Sequence, residues 1–190
     1  MNKKHDPLEG ISSAGKIVTG ASFKKITSDF RPIVEEAVNL VDENTDGASL
    51  YLYGSVATGT AVVKHSDVDF VLIGNAPLVA DYASEKLSNK FIDLCRGVEL
   101  GFAQHSDYKL QSDEAYGNRA FLRHYCVHLT GKNLKEELPD FEADRAAARG
   151  FNGNIGTVAE SWKINAFTTE NPQLFARQLA RKPYLQLLAL

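Results

Sequence analysis

Leu52-Tyr53-Gly54-Ser55-Val56-Ala57-Thr58-Gly59-Thr60, then Ser66-Asp67-Val68-Asp69-Phe70-Val71-Leu72-Ile73, are the two stretches whose reading decides the fold. Leu50-Tyr51-Leu52-Tyr53 is a short apolar strand that runs into Gly54-Ser55, where a helix is expected to start. A helix start leaves backbone N–H groups unpaired and carries a positive dipole end, which suits an anion. Gly54 lets such an anion approach the backbone, Ser55 adds a hydroxyl, and Gly59-Thr60 supply a second turn close by. Val68 to Ile73 is a second, very apolar strand. Asp67 and Asp69 stand one residue apart at its start, so alternation puts both carboxylates on one face and Val68 and Phe70 on the other.

Two carboxylates side by side repel unless a cation sits between them. Mg²⁺ takes hard oxygen ligands and keeps room for phosphate oxygens. A phosphate cradle beside a paired-carboxylate metal site is what in-line phosphoryl chemistry requires. A third carboxylate would complete it. In Gly97-Val98-Glu99-Leu100-Gly101-Phe102, a third strand expected over Gly97–Gln104, Glu99 faces away from Val98, Leu100 and Phe102. The glycines on either side leave open space above it. Glu99 is thus the candidate for a shared metal ligand or a general base toward an acceptor hydroxyl.

These residues resemble the signature of the DNA polymerase β-type nucleotidyltransferase superfamily. The carriers are Gly54-Ser55, Gly59-Thr60 and Ser66-Asp67-Val68-Asp69. Within it they look most like the small bacterial nucleotidyltransferases, aminoglycoside adenylyltransferases included. Val98-Glu99-Leu100 is similar to the strand carrying that family's third carboxylate. Leu129-Thr130-Gly131-Lys132-Asn133-Leu134 is similar to the turn leading into its helical region. The resemblance implies an α+β fold, a small mixed β-sheet backed by helices, with a C-terminal helical region. It implies a nucleotide site at Gly54, Ser55, Thr58, Gly59, Thr60 and Ser66, and metal and catalytic roles for Asp67, Asp69 and Glu99. It also implies Mg²⁺ and a nucleoside triphosphate donor, ATP being the commonest among such proteins. The expected activity is transfer of a nucleoside monophosphate to an acceptor hydroxyl, a small aminoglycoside-like molecule being one option. The alternatives are a protein or RNA acceptor, as in antitoxin-type members, and a non-catalytic nucleotide-binding module. An intact Asp67/Asp69 pair weighs against the last.

The rest of the chain fits a globular protein. Hydrophobic residues make up 44% of the 190 and charged residues 24%, enough to bury a core without disulfides. A net charge of −3 gives no general basic face for a long nucleic acid. Cys95 and Cys126 form no CxxC pair, and no apolar run suggests a leader or a membrane span, so the cytoplasm is the expected location.

Residues 1–23 read as an N-terminal tail or short added element, 24–138 as the core, and 139–190 as a helical region. A helix is expected over Ser28–Asn44, capped by Ser28 or Asp29. Another is expected over 78–95, with Leu78, Tyr82, Leu87, Phe91 and Leu94 on one face. Residues 105–120 read as loop with room for a helical turn, and Arg123–Thr130 as a fourth strand. On that strand His124, Cys126 and His128 would share a face, too far apart to converge on one zinc ion. Further helices are expected at 140–149, 157–167 and 172–190, with a break at Gly150–Gly156. The apolar end at Leu185–Leu190 would pack on this protein, a second copy or a partner helix.

Overall fold

A computed structural model describes residues 10–152 and 155–168, together with residue 173. Its centre is a four-stranded mixed sheet in the order β3-β2-β1-β4. The strands are β1 (Ser49–Tyr53), β2 (Val68–Ile73), β3 (Val98–Ala103) and β4 (Val127–Thr130). β1 lies antiparallel to both β2 and β4, while β2 and β3 run parallel. The fold is thus the mixed sheet backed by helices that the sequence implies.

Helix α1 (Arg31–Asn44) starts with Pro32 in its first turn, where a missing N–H costs nothing. Its buried residues Ile33, Val34, Ala37, Leu40 and Val41 recur at helical spacing and pack on one sheet face with Leu50, Leu52, Val68, Phe70 and Leu72. It stops at Thr45, whose N–H and hydroxyl both donate to the Val41 carbonyl at 2.9 Å. Helix α2 (Gly54–Thr58) follows β1 directly. Helix α3 (Pro77–Lys90) makes the crossover from β2 to β3. β3 is a sheet edge, and α3 covers it: Val98 N–H donates to Ser88 Oγ at 2.9 Å and Leu100 N–H to Ser84 Oγ at 2.8 Å.

The opposite sheet face is covered by helix α4 (Asp113–Tyr125), where Leu122 and Cys126 pack on Tyr51 and Ile73. Helix α5 (Arg145–Phe151) lies on α4, with Gly117 and Gly150 at the crossing. Helix α6 (Ile155–Thr168) follows α5.

Several local expectations change. Ser28 and Asp29 do not cap α1, which begins at Arg31 with Phe30 as its N-cap. Helix α3 turns alanines inward, burying Ala80, Ala83 and Leu87, and leaves Leu78 and Tyr82 exposed. The expected loop over 105–120 contains most of α4. Ser112 Oγ accepts the Ala115 N–H at 3.1 Å as its cap, so the polar run Ser112-Asp113-Glu114 is a helix start. His124 therefore lies on a helix and shares no strand with Cys126 and His128. His124 Nε2 accepts the Phe141 N–H at 2.7 Å, and His128 Nε2 lies 3.0 Å from the Gly131 carbonyl oxygen. Residues 140–144 precede α5, which runs through Gly150. Ile17 N–H donates to the Phe141 carbonyl at 3.0 Å, and Thr19 Oγ1 donates to that of His124, so residues 17–19 are tied to the fold. The helix expected over 172–190, and its apolar end, lie outside the described residues apart from residue 173.

At the α4–α5 crossing, a Cβ on Gly117 would collide with the Gly150 carbonyl, and one on Gly150 would lie 2.6 Å from the Gly117 nitrogen. Gly117→Ala should therefore cost about 1–3 kcal/mol by overpacking. Urea denaturation should show a lower midpoint at unchanged slope; an unchanged midpoint would mean the two helices are not this close.

Candidate active site

The pairing register builds the site. Tyr53 is opposite Asp69 across β1 and β2, and Asp69 is opposite Glu99 across β2 and β3. Tyr53, Asp69 and Glu99 thus form one row across three strands. They lie on the face away from α1 and α3, beyond Tyr51, Val71 and Gly101 in the neighbouring row. Asp67 lies just ahead of β2. The chain holds this entrance together through Val68 N–H to the Gly97 carbonyl and Arg96 N–H to the Ser66 carbonyl, each 3.0 Å.

Gly54 stands against this row. Its φ of +73° is in the left-handed region, and a Cβ there would collide with Asp69 Oδ2. The left-handed backbone and the nearby Asp69 carboxylate thus both favour glycine at this position. Ser55 is half-buried in the first turn of α2, which has no side-chain cap, so its leading N–H groups are open to an anion. Thr58 Oγ1 bonds the carbonyls of Gly54 at 3.3 Å and Ser55 at 3.2 Å and lies 3.0 Å from Thr60 Oγ1. Gly59, at φ +75°, ends α2 against Lys25. Ser66 Oγ accepts the Val62 N–H at 2.9 Å and shapes the loop before Asp67. The hydroxyls of Thr58 and Ser66 are therefore engaged in holding the loop.

The electrostatics centre on Asp69. Burial, then the charges of Asp67 and Glu99, push its carboxyl from 3.8 up to about 6, and Arg96 pulls the other way. Burial, then Asp69 and Glu99, push the Tyr53 phenol well above its ordinary range. Glu99 is exposed, with only open surroundings at Gly97 and Gly101: a Cβ on Gly97 would meet Asp67 Oδ1 at 4.0 Å and one on Gly101 the Phe70 carbonyl at 3.6 Å.

The sequence reading passed over Arg96. Its Nε donates to Asp67 Oδ1 at 2.8 Å and its Nη2 to Asp67 Oδ2. A cation three residues ahead of Glu99, at the mouth of a carboxylate-bearing strand, was the available signal. With Asp67 turned to Arg96, the carboxylates share one end of the sheet without converging. Among the described residues no three His, Cys, Asp or Glu side chains are placed to hold one ion. The donor set itself is all oxygen, close to a half-buried carboxylate that is short of positive charge, and that fits a hard divalent cation.

The profile of the nucleotidyltransferase domain family matches residues 34–129, from α1 into β4. A search of curated proteins finds no match. Among solved structures, one described as a toxin–antitoxin with AMP-PNP is 16% identical with a TM-score of 0.40, covering 71% of this chain and 97% of that one. Tri-AMPylated Shewanella oneidensis HEPN toxin in complex with MNT antitoxin gives 14%, 0.36, 73% and 97%. A tRNA-processing enzyme in an apo form gives 19%, 0.35, 69% and 36%.

Asp69→Asn should stabilise the protein when no divalent cation is present. A carboxyl raised from 3.8 to about 6 costs the fold its ionised form, so the destabilisation is complete above pH 6 and vanishes below 3.8. After discounting for partial exposure, the gain at pH 8 should be on the order of 1 kcal/mol, or about 2–4 °C in Tm. Melting curves of wild type and variant at pH 8 and pH 4 test this. An equal gain at both pH values would contradict the electrostatic cause.

Proposed function

The chain belongs to the nucleotidyltransferase domain family, and from that premise we propose that it transfers a nucleoside monophosphate, AMP from ATP, to an acceptor hydroxyl with Mg²⁺. The observation that carries the reading is the row Asp69–Glu99 beside Asp67 and the uncapped start of α2. The core at 24–138 is the catalytic unit in this reading, with 1–23 as an N-terminal segment and 139–190 as a helical region.

Asp67, Asp69 and Glu99 are the residues that would hold Mg²⁺, whose chemistry there is to neutralise phosphoryl charge. Ser55 and the leading N–H groups of α2 bind the triphosphate. Gly59 and Thr60 shape the turn beside it. Glu99, exposed above the sheet edge, accepts the proton of the acceptor hydroxyl. The acceptor oxygen then bonds to the α-phosphorus as the bond to the bridging oxygen breaks and pyrophosphate leaves. Asp69 and Tyr53 form the half-buried floor of this pocket.

The acceptor is a hydroxyl on a partner protein in the reading we carry forward. The printed descriptions of two similar structures name toxin–antitoxin complexes, one with an AMPylated toxin, and none of the three names a small-molecule acceptor. The segment 172–190 is where a helical partner or second copy would dock. Cys95 and Cys126 are free and buried, in keeping with a cytoplasmic setting. No helix among the described residues is long and apolar enough to cross a membrane.

Labelled ATP offered with Mg²⁺ and a panel of proteins, RNA 3′ ends and aminoglycosides tests the activity and the acceptor together. Label on protein supports the reading, label on an aminoglycoside or RNA moves the acceptor, and no transfer to any class counts against it. Asp67→Asn and Glu99→Gln should each lose roughly a hundred- to ten-thousand-fold in rate while circular dichroism stays unchanged. Near wild-type turnover in either variant removes that residue from the site.

Ser55→Ala should raise the Kd for ATP roughly ten- to a hundredfold, the worth of one hydrogen bond to a charged group, with Tm moving little. Equal affinity by calorimetry would take Ser55 out of the phosphate site.

A further inference from the structure

Arg96 is a charged side chain that the proposed chemistry does not use, and it sits on a residue that the chemistry needs. Its guanidinium grips Asp67 with two donors, Nε to Oδ1 at 2.8 Å and Nη2 to Oδ2. Each carboxylate oxygen thereby accepts one guanidinium N–H, so a second cation on Asp67 in the same geometry would sit beside a like charge. The pair is open to water, the side chains being 59% and 35% exposed for Arg96 and Asp67. An exposed pair of this kind is a weak hold. The backbone on both sides is fixed independently of it, by Arg96 N–H to Ser66 and Val68 N–H to Gly97. The guanidinium can therefore leave without disturbing the strand entrance.

We propose that Arg96 is a displaceable internal counter-ion that holds Asp67 away from Asp69 and Glu99 until a divalent cation takes its place. This rests on the reading of Asp67 and Asp69 as metal ligands. Arg96 is then a positioning residue, acting on the site through Asp67. Its physical work is to relieve the repulsion among the three carboxylates when no cation is bound. The cost is competition with the incoming ion.

The test is direct binding of Mn²⁺ to the nucleotide-free full chain, read by electron paramagnetic resonance of the free ion, for wild type, Arg96→Gln and Arg96→Lys. Direct occupation of Asp67 predicts that Arg96→Gln binds Mn²⁺ about two- to fivefold more tightly, the most an exposed ion pair can withhold. Arg96→Lys keeps the charge but loses the two-pronged grip, so it should also bind more tightly than wild type, by less. If Arg96→Lys equals wild type while Arg96→Gln is tighter, charge alone acts and the latch is overturned. If Arg96→Gln is equal or weaker, the inference fails outright. Asp69→Asn is the reference. Binding that it leaves intact shows the ion lies elsewhere and overturns both the inference and the metal reading beneath it. Binding that it removes, but that neither Arg96 variant tightens, overturns the inference alone. Circular dichroism confirms that each variant is folded, and Arg96→Lys carries the test if Arg96→Gln is not.

Discussion

The Asp69 carboxylate is held half-buried at the end of a packed sheet, and the surrounding structure is arranged around that position. Three constraints meet there. Val68 and Phe70 on either side are drawn fully into the core under α1 and α3, which fixes Asp69 to the opposite face. The antiparallel register with β1 puts Tyr53 beside it, and the parallel register with β3 puts Glu99 on its other side. Gly54 closes in from the end of β1, where no side chain would fit. Each constraint is a packing or pairing requirement of the fold. Together they force like charges into proximity, an arrangement that costs stability.

That cost explains the two faces of the sheet. One is a continuous apolar layer, reaching from Ile26 and Phe30 to Leu100. The other is covered by α4 over Tyr51 and Ile73 and as far as Tyr53, whose ring meets that of Phe121 edge-on at 5.0 Å, which leaves Asp69 half-buried and Glu99 exposed. Glu99, on the edge strand β3, is exposed to solvent. The serines of α3 meanwhile satisfy the outward N–H groups of Val98 and Leu100 on the β3 edge.

The strands that build the site were legible because their signals are local. Alternation over Val68–Ile73 and Val98–Phe102 depends only on which residues are apolar, and it places Asp69 and Glu99 on one face without knowledge of the partner strands. α4 was not legible for the same kind of reason. Its buried face is made of Ala115, Gly117 and Ala120 with one Leu122, small residues that carry little hydrophobic signal. The run Tyr125-Cys126-Val127-His128-Leu129 then imitates a longer strand. α3 misled in the opposite way: its large residues Leu78 and Tyr82 face water, while alanines allow the close approach to the sheet. Arg96 showed only as a cation at the mouth of β3, and its partner Asp67 lies 29 positions away. No spacing rule encodes that.

The central claim is that this sheet end is a cation and triphosphate site built on Asp67 and Asp69. Crystals grown with Mn²⁺ and a non-hydrolysable ATP analogue test it most directly, through the anomalous signal of the metal. The account predicts a peak within about 2.0–2.4 Å of carboxylate oxygens of both Asp67 and Asp69, with the phosphates at the start of α2. A peak elsewhere, or a nucleotide bound with Asp67 still on Arg96 and no metal at Asp69, would contradict it.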